Sequence, residues 1–449
     1  MSGPYVSSGS RPASPAELAA AAMSPAYSLT HHHSPCSSTP SNSARARPGS
    51  SHLSNWKINN VSEYNILFSS DSNYLRYTLV AAQSIVDSLE RSSAQPDKND
   101  DLIVFNIIVD ESVDTGDLSI KCQNFARRNQ LPGVSFKFNV LSVDRKLFEG
   151  CVPFREDGNY STYYRLLLDK VLPSTVDSVL YMDVDILVLE DIRKLFNSTD
   201  WSQTVLGAVV NYPQCVRDEQ YSVKSTDSSL PALTMHSKNY FNAGILLINL
   251  QQWRENHISD RAVELARTYS FPFHDQDILN VIFKDKVTLM DPSWNMQTGL
   301  YYESMNRTVK NRKWKDLSTM FSSMGTFDQW DPEVFMSHPD IIHFTHIKPW
   351  THRLPSDNKS TDTSDILSPH QYYYMSLWRN TAARVSEYSM ELMPAIADSS
   401  CDNAYVIAQI QHELLIYKRK LRKSVRLFTL ITSGLVVLTL GTIIVSIVL

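Results

Sequence analysis

The pattern of apolar and polar residues sets a long region of interleaved strands and helices apart from differently patterned segments on either side. Between residues 61 and 352, short continuous apolar runs alternate with longer segments whose apolar residues recur every three or four positions. The first pattern is typical of buried strands, and the second of helices that cover a sheet. Their order predicts βαβ units and therefore an α/β fold with a mostly parallel central sheet.

The apolar runs and the helically spaced segments predict where the elements lie. We expect strands at 65–68, 102–109, 134–140, 179–189, 205–210, 240–250 and 341–344. We expect one helix each at 74–89, 119–129, 160–171 and 276–283, and helices within 251–270. Polar residues follow several of these strands, and ligands of open parallel sheets bind at the carboxyl ends of the strands. The pattern therefore indicates a nucleotide-type site at that edge.

An acidic pair interrupts the apolar strand predicted at 179–189. Asp183 and Asp185 are separated by one residue, and in an extended chain that spacing directs both side chains to one face. Two carboxylates about 4 Å apart repel each other by roughly 1 kcal/mol in water, and by several times more in a partly buried site. A bound cation would hold them together, and oxygen ligands favour Mg²⁺ or Mn²⁺ over zinc.

The same Asp-x-Asp spacing recurs at Asp275 and Asp277, so the spacing alone does not identify a metal site. The second copy stands at the head of a helical pattern, where an acidic residue also serves as an N-cap. The apolar strand around the first copy favours that copy as the metal site. The second copy stays open between a helix cap and a functional role.

Composition excludes several classes of function. The chain has 449 residues and a hydrophobic content of 43%, which is enough for one large core with appendages. Its net charge of −5 supplies no general basic field, which argues against nucleic acid as a partner. The five cysteines are odd in number and form no C-x-x-C pair, which argues against a disulfide framework or a zinc knuckle. A reducing compartment fits best.

The segments outside the α/β region predict a tail and a membrane anchor. Residues 1–60 are rich in Ser, Pro and Ala and lack apolar periodicity, which predicts disorder. Residues 353–402 form an extension, and 403–426 predict a basic amphipathic helix. Residues 427–449 carry no charge and would span roughly 34 Å as a helix, against a hydrocarbon core of about 30 Å. The cations before this segment predict a single-pass anchor with the folded domain facing the cytosol.

Motifs on these elements together resemble glycosyltransferase family 8, whose members are retaining enzymes with one Rossmann-like GT-A domain. Four motifs lie at 68–74, 162–165, 183–185 and 240–250, and two further pieces lie at 274–277 and 341–350. The resemblance covers about residues 64 to 352, and we take 61–352 as the domain. It implies a GT-A domain that binds a UDP-sugar.

The resemblance also implies a role for each matched residue. The metal, Mn²⁺ or Mg²⁺, would be bound by Asp183, Asp185 and His343. The uridine would lie against Asp71, Asn73 and Tyr74, and the diphosphate against Arg165, Lys348 and the metal held by Asp183. Asn242 would face the donor sugar, Asp275 would hold its hydroxyls, and Gln276 would lie beneath the anomeric carbon.

The implied reaction moves a hexose from UDP-glucose or UDP-galactose, with retention, to a glycan, lipid-linked or protein acceptor. A front-face route and a double displacement both stay open. Around Lys348 the chain departs from the family pattern, because His346 replaces a usual glycine and the loop is one residue shorter. One alternative is therefore a membrane-tethered nucleotide-sugar-binding module without transfer activity. A sugar-phosphate nucleotidyltransferase would need a Gly-rich basic loop, which Ser69–Tyr74 lacks.

Overall fold

The structure, a computed structural model, describes most of the region for which the sequence predicts alternating strands and helices. The described residues are 57–58, 61–92, 100–153, 159–200, 204–211, 220–226, 228–236, 239–284, 286–299, 339–345, 347–351 and 369–397. All of them belong to one compact unit. The predicted helix at 403–426, the predicted anchor at 427–449 and nearly all of the predicted tail lie outside these residues. Among the described residues, no helix is both long and apolar enough to cross a bilayer.

The first half of the domain alternates strands and helices as predicted. Its elements are β1 (Lys57–Ile58), β2 (Val61–Ser69), α1 (Leu75–Ser92), β3 (Asp101–Asp110), α2 (Thr115–Arg128), β4 (Val134–Val143), two 3₁₀ turns (Arg145–Phe148 and Ser161–Leu166) and α3 (Leu168–Val171). β1 lies within the segment predicted to be a tail and pairs with the start of β2.

The second half is richer in short strands. Its elements are β5 (Ser178–Met182), β6 (Ile186–Val188), α4 (Arg193–Asn197), β7 (Leu206–Val210), β8 (Gln220–Val223), β9 (Leu233–His236), β10 (Phe241–Asn249), α5 (Leu250–Glu255), α6 (Ile258–Thr268), α7 (His274–Ile282), β11 (Thr288–Leu289), a 3₁₀ turn (Pro292–Asn295), β12 (Met296–Gln297), β13 (Ile341–His343), α8 (Pro369–Ala382), a 3₁₀ turn (Ser386–Tyr388) and α9 (Ser389–Ala397).

The main sheet has the strand order β11-β7-β10-β5-β2-β3-β4. The pairs β11-β7, β5-β2, β2-β3 and β3-β4 are parallel. β10 runs antiparallel to both of its neighbours, β5 and β7. The prediction of an α/β fold with a mostly parallel central sheet is therefore confirmed, with β10 as the inserted antiparallel strand.

Burial on both faces of the sheet explains the near-continuous apolar strands. All residues of β3 except Leu102 are buried, which is expected of a strand with helices over both faces. Large side chains fill the space between sheet and helices, among them Trp253, Tyr163 and Phe148. Each such side chain contributes roughly 1.5–3 kcal/mol by leaving water. This core gives the strand ends a rigid base.

The strand predicted at 179–189 is in fact two strands that belong to different sheets. β5 lies in the main sheet, whereas β6 pairs antiparallel with β13 in a small sheet that also contains β12. The chain bends at residues 183–185, so the assumption of an extended conformation through the acidic pair was wrong. The acidic residues lie at the junction where the two sheets diverge.

One predicted helix is broken. The segment 160–171 forms a 3₁₀ turn followed by the short α3. Apolar periodicity continues across this break, which is why it did not reveal it. The helices predicted within 251–270 are α5 and α6. They are separated at His257, whose φ of 51° is left-handed and cannot continue a helix.

Part of the predicted extension packs on the domain. α8 lies against α1, where Arg384 forms a 2.8 Å ion pair with Asp87. The Arg379 side chain donates to the carbonyl of Pro349 at 3.1 Å, and Gln371 donates to the carbonyl of Thr298 at 3.3 Å. The extension therefore braces the segment that carries Lys348.

Candidate active site

The junction between β5 and β6 places the first Asp-x-Asp pair at the carboxyl end of the main sheet. The backbone N–H of Asp183 donates to the carbonyl of Gly244 in β10 at 2.7 Å. The carbonyl of Asp185 accepts a hydrogen bond from the N–H of Phe344, just after β13, at 2.8 Å. The backbone of Asp183 is thus held by the main sheet, and the backbone of Asp185 is held by the segment that follows β13 of the small sheet.

His343, the last residue of β13, completes a cluster of three potential metal ligands. Its Nε2 lies 3.7 Å from Asp183 Oδ2 and 3.3 Å from Asp185 Oδ1. One ligand atom from each of the three residues lies within 4.8 Å of the others. Residues from two motifs far apart in the chain therefore converge on one point.

The remaining oxygen of each carboxylate is held by a cation. Asp183 Oδ1 is 2.8 Å from the Arg165 guanidinium and accepts a 2.8 Å hydrogen bond from the Tyr181 hydroxyl. Asp185 Oδ2 is paired with the ammonium of Lys348. Burial alone would raise the pKa of Asp185, but Lys348 and His343 outweigh burial and hold this pKa below its ordinary value. Each carboxylate thus presents one oxygen to the point shared with His343.

The cluster depends on the absence of a side chain at Gly244 in β10. A Cβ atom there would lie 2.2 Å from His343 Cε1 and 2.8 Å from Asp183 Oδ2. Real Cβ atoms do not approach other atoms so closely, so any larger residue would displace two of the three potential ligands. The glycine at this position of β10 therefore makes room for the three potential ligands.

Arg165 links this cluster to the second acidic motif. Its guanidinium contacts Asp183 at 2.8 Å and Asp275 at 3.1 Å, and it donates to the carbonyl of Ala243 at 2.6 Å. It also lies over the Tyr181 ring, 4.4 Å from the centroid. These contacts leave the guanidinium almost fully buried between the two motifs. The phosphate contact implied by the resemblance stays a prediction, and the structure shows that Arg165 bridges Asp183 and Asp275.

Asp275 is buried at the first turn of α7. Burial raises the pKa of its carboxyl to about 7, although Arg165 opposes the shift. The charge of Asp183, which contacts the same guanidinium, raises the pKa of Asp275 further. Asp275 therefore changes its protonation state near neutral pH.

Gln276 is held at both ends of its amide. Gln276 Oε1 accepts hydrogen bonds from Asn242 Nδ2 and from the N–H of Ala243, both at 3.1 Å. Its Nε2 donates to the Tyr240 hydroxyl at 3.2 Å. Asn242 Oδ1 in turn accepts a 2.9 Å hydrogen bond from the N–H of Gly244. The structure thus brings together three of the residues expected at the sugar, namely Asn242, Asp275 and Gln276.

The start of α7 is conformationally unusual. His274 has a φ of 46°, which non-glycine residues adopt only rarely, and its Nδ1 lies 3.2 Å from the Tyr163 hydroxyl. Asp277 Oδ2 accepts a 2.8 Å hydrogen bond from the N–H of Phe273, and its Oδ1 accepts one of 2.6 Å from Tyr240. The Asp277 carboxylate therefore fixes the helix start, and among the described residues it does not belong to the group of potential metal ligands.

The residues expected at the uridine lie in the turn between β2 and α1. Asp71 Oδ1 accepts hydrogen bonds from the N–H groups of Asn73 at 2.9 Å and Tyr74 at 3.2 Å, and Oδ2 accepts one of 2.7 Å from Asn159. The Asn73 side chain is exposed. The ring of Tyr74 packs edge-on against Trp350, with centroids 5.9 Å apart. Asp71 therefore shapes this turn, whereas Asn73 and Tyr74 line its surface.

Lys348 lies at the metal-ligand cluster. Besides its pair with Asp185, its ammonium donates to the carbonyl of Phe344 at 2.7 Å. Trp350, two residues on, stacks on Tyr77 with centroids 3.8 Å apart, which anchors the loop. The neighbouring His346 lies outside the described residues. Lys348 is thus close to where a diphosphate on the metal would bind, although it contacts a carboxylate here.

Sequence reasoning missed residues that support this site from behind. Asn295 Oδ1 lies 3.0 Å from His343 Nδ1, and Asn295 Nδ2 donates to Asn242 Oδ1 at 2.9 Å. Asn211 accepts a 3.0 Å hydrogen bond from Asn242. In the sequence, Asn295 and Asn211 are recognisable only as polar residues among apolar neighbours. That pattern does not show which groups their side chains contact.

The chemistry of the donor set fits a hard divalent cation. Two carboxylate oxygens and one imidazole nitrogen suit Mn²⁺. Mg²⁺ is also commonly bound by only one or two carboxylates, so the site suits it as well. The hydrogen bond from His343 Nδ1 to Asn295 leaves Nε2 free to act as a ligand, as metal-binding histidines usually require. Asp183, Asp185 and His343 are therefore the residues that would hold such an ion.

Comparison with known proteins identifies the class. The family model described as Glycosyl transferase family 8 matches residues 65–353, which is more than half of the chain. The chain therefore belongs to glycosyltransferase family 8, and the resemblance inferred from the motifs is confirmed.

Individual relatives are more distant. The chain is 27% identical over 209 residues to a lipopolysaccharide 1,3-galactosyltransferase of Salmonella typhimurium, a match covering 45% of this chain and 58% of that protein. It is 24% identical over 312 residues to a lipopolysaccharide 1,2-glucosyltransferase of Escherichia coli, covering 68% and 83%. Several of the matches span little more than half of the relative, including the 58% of General stress protein A of Bacillus subtilis.

Among solved structures, the chain is similar to the galactosyltransferase LgtC in complex with donor and acceptor sugar analogs. The sequence identity is 23%, the TM-score is 0.44, and the match covers 72% of this chain and 96% of that one.

Proposed function

We propose that the protein is a metal-dependent retaining hexosyltransferase that moves glucose or galactose from a UDP-sugar to an acceptor, forming an α-linkage. The observation that carries the proposal is the convergence of Asp183, Asp185 and His343 at the sheet edge, joined through Arg165 to the Asp275 and Gln276 motif. This arrangement puts a site for a diphosphate-bound cation beside groups suited to a sugar ring. Family membership supports the same activity.

Mn²⁺ or Mg²⁺ bound at this cluster would neutralise charge on the departing UDP diphosphate. The residues of the chain would do the positioning. Asp183 and Asp185 would each contribute the oxygen that faces His343, because Arg165 and Lys348 already hold the other oxygens. On donor binding, Lys348 has a phosphate as an alternative partner to Asp185. Effective placement of this kind is worth several kcal/mol of barrier.

The turn between β2 and α1 would receive the uridine. Because both Asp71 oxygens accept internal hydrogen bonds, we assign Asp71 the indirect task of holding the turn in shape. The exposed Asn73 amide would then make polar contacts, and Tyr74, supported edge-on by Trp350, would offer its ring for stacking. An aromatic ring can stack on any nucleobase, because every base presents a flat π-face.

The surroundings of Gln276 favour a front-face route over double displacement. Both lone-pair directions of its Oε1 accept hydrogen bonds, so this oxygen is poorly suited to attack an anomeric carbon. Asp275 is tied to Arg165 and is suited to accepting or donating hydrogen bonds at sugar hydroxyls. In this account the leaving diphosphate takes the proton of the acceptor, while Gln276 and Asp275 orient the sugar and stabilise the positive charge that develops on it.

The names of the relatives reduce the number of candidate donor sugars and acceptors. A lipopolysaccharide 1,3-galactosyltransferase and a lipopolysaccharide 1,2-glucosyltransferase are among them, which supports galactose or glucose as the donor sugar and a glycan as the acceptor. A lipid-linked glycan or a glycosylated protein would supply the same acceptor hydroxyl chemistry.

We further propose that the chain is held at a membrane by residues 427–449 and that its catalytic domain faces the cytosol. The uncharged segment and the basic residues at 418–426 before it support this proposal. Extraction of membranes with carbonate should leave the full chain in the pellet. Protease added to sealed inside-out vesicles should digest the domain, and protection there would contradict the orientation.

A second candidate is a nucleotide-sugar-binding module without transfer activity. The observation in its favour is that Lys348, in its shortened loop, contacts Asp185 and the carbonyl of Phe344 rather than projecting freely. Such a module would bind UDP-sugars with Mn²⁺ but would release no sugar.

Hydrolysis of a panel of UDP-sugars by the full chain, with and without Mn²⁺, tests the proposal without knowledge of the acceptor. We expect Mn²⁺-dependent release of UDP from UDP-glucose or UDP-galactose and not from other UDP-sugars. Asp185→Ala and His343→Ala should abolish this release while leaving the fold intact. Binding without release would favour the second candidate, and release that does not depend on these residues would refute the first.

A further inference from the structure

We infer that Asn295 is a positioning residue that couples the metal ligand His343 to the amides of Asn242 and Gln276. The inference rests on the proposed function, because it assigns Asn295 a task within the proposed site. Asn295 is completely buried at the end of a 3₁₀ turn and directly precedes β12, the strand that pairs with β13. It reaches both the metal-ligand side and the sugar side of the site.

Backbone N–H groups fix which end of the Asn242 and Gln276 side-chain amides is the oxygen, because an N–H group can only donate a hydrogen bond. The N–H of Gly244 donates to Asn242 at 2.9 Å, so the atom that it contacts must be the amide oxygen. The N–H of Ala243 donates to Gln276 at 3.1 Å, which fixes the amide of Gln276 in the same way. Neither side chain can exchange its oxygen and nitrogen without placing two donors against each other.

The orientation of Asn295 is then also fixed. Because Asn242 presents an oxygen towards Asn295, the atom of Asn295 at 2.9 Å must be its NH₂ group. Its oxygen therefore faces His343 Nδ1 at 3.0 Å, and Nδ1 must carry the imidazole proton. In a neutral imidazole the proton on Nδ1 leaves the lone pair on Nε2, which is the atom that faces Asp183 and Asp185. Asn295 thereby selects the metal-binding tautomer of His343.

The hydrogen bonds run in a single direction from the imidazole to a buried carboxylate. His343 donates to Asn295, Asn295 to Asn242, and Asn242 to Gln276 at 3.1 Å. This series of hydrogen bonds continues from Gln276 Nε2 to the Tyr240 hydroxyl at 3.2 Å. The hydroxyl in turn donates to Asp277 Oδ1 at 2.6 Å. Hydrogen bonds in such a chain strengthen one another. The metal ligand and Gln276 are therefore oriented by one network in which Asn295 is the connecting residue.

Two substitutions separate the two contacts of Asn295. Asn295→Ala removes both contacts, so it should weaken binding of Mn²⁺ by roughly 10- to 100-fold, as loss of such supporting partners usually does, and it should also lower kcat. Asn295→Asp keeps an oxygen for His343 Nδ1 but cannot donate to Asn242. It should therefore retain Mn²⁺ affinity while lowering kcat for UDP-sugar hydrolysis at saturating Mn²⁺, with little change in KM.

Asn106 provides a matched control. It is also a buried asparagine between two others, accepting a 2.9 Å hydrogen bond from Asn139 and donating to Asn65 at 3.3 Å, but it lies within β3. Asn106→Ala should reduce thermal stability to an extent similar to Asn295→Ala. It should leave both Mn²⁺ affinity and kcat unchanged, because its network does not reach the site.

The experiment titrates each full-length protein with Mn²⁺ alone, following free Mn²⁺ by electron paramagnetic resonance, and then measures hydrolysis of the active UDP-sugar. Retained Mn²⁺ affinity in Asn295→Asp together with loss in Asn295→Ala supports the inference. Equal loss of affinity in both variants, or wild-type affinity and kcat in Asn295→Ala, overturns it while leaving the proposed function in place. A wild-type chain that neither binds Mn²⁺ nor hydrolyses any UDP-sugar overturns the proposed function itself.

Discussion

The two Asp-x-Asp motifs of this protein have the same spacing and opposite surroundings. Asp183 and Asp185 stand where the main sheet and the small sheet diverge, and an oxygen of each faces His343. Asp275 and Asp277 stand in the first turn of α7, where one contacts Arg165 and the other contacts Tyr240 and the N–H of Phe273. The backbone conformation, not the spacing, decides whether such a pair shares a ligand.

Electrostatic surroundings follow the same division. Lys348 and His343 hold the pKa of Asp185 below its ordinary value despite burial, so this carboxylate stays charged. Burial raises the pKa of Asp275 to about 7; Arg165 opposes this shift and the charge of Asp183 adds to it. One motif is therefore suited to binding a cation, and the other to exchanging hydrogen bonds with neutral hydroxyl groups.

The largest effect should come from removing charge at the first motif. Asp185→Asn removes the negative charge that would bind the cation and that pairs with Lys348, so we expect UDP-sugar hydrolysis to fall by roughly 100-fold or more, equivalent to several kcal/mol of lost leaving-group stabilisation. Initial rates at saturating donor would measure it. A rate near that of the wild type would show that the pair does not act through a metal.

A glycine substitution tests the same cluster without touching a ligand. In Gly244→Ala the new Cβ would meet His343 and Asp183, so Mn²⁺ affinity should fall by roughly tenfold or more. Gly207→Ala in β7 is the control, because its Cβ would meet only the flexible side chain of Met290 at 3.1 Å and Leu247 at 3.5 Å. Equal Mn²⁺ affinities in the two variants would show that close packing at Gly244 is not required.

At the second motif, loss of the inner carboxylate should affect stability more than metal binding. Asp277→Asn replaces an acceptor of two hydrogen bonds with an amide that accepts through one atom only. The free energy of unfolding should therefore fall by about 1–3 kcal/mol. Urea denaturation would measure the change. An unchanged midpoint would show that the carboxylate does not hold the start of α7.

The most gradual effect is a pH dependence of the free energy of unfolding at Asp275. Its pKa in the folded protein, about 7, exceeds the ordinary value of 3.8, so between these values the folded state keeps a proton that the unfolded chain releases. Its contribution to stability is complete below about pH 4 and is lost as the pH rises through about 7, with a slope of at most ~1.4 kcal/mol per pH unit. The difference in unfolding free energy between wild type and Asp275→Asn should follow this course, and a difference independent of pH would contradict it.

Much of the fold was predictable because strands have local apolar patterns. The nearly continuous apolar run at 102–109 identified β3, which is buried on both faces, and the alternating apolar and polar residues at 134–140 identified β4, which is only partly buried. The junction at 183–185 was not predictable in this way. Apolar residues continue on both sides of it, and only pairing with β10 and β13, distant in sequence, separates β5 from β6.

The site likewise contains residues that a sequence motif identifies and residues whose task only the folded structure shows. Asp183 and Asp185 stood out because two close carboxylates indicate a cation, whereas His343 and Gln276 were assigned because they lie in motifs that resemble those of the family. Asn295 was missed because its task arises only when β12 pairs with β13 and brings it beside His343. The bridge made by Arg165 was missed for the same reason, since its two carboxylate partners come from separate motifs.

Titration of the full chain with Mn²⁺, followed by electron paramagnetic resonance, tests the central distinction between the two motifs most directly. The wild type should bind Mn²⁺ at a single site, Asp185→Asn should lose that site, and Asp277→Asn should retain it with unchanged affinity. Undiminished binding in Asp185→Asn, or loss of binding in Asp277→Asn, would contradict the assignment of the metal site to Asp183, Asp185 and His343.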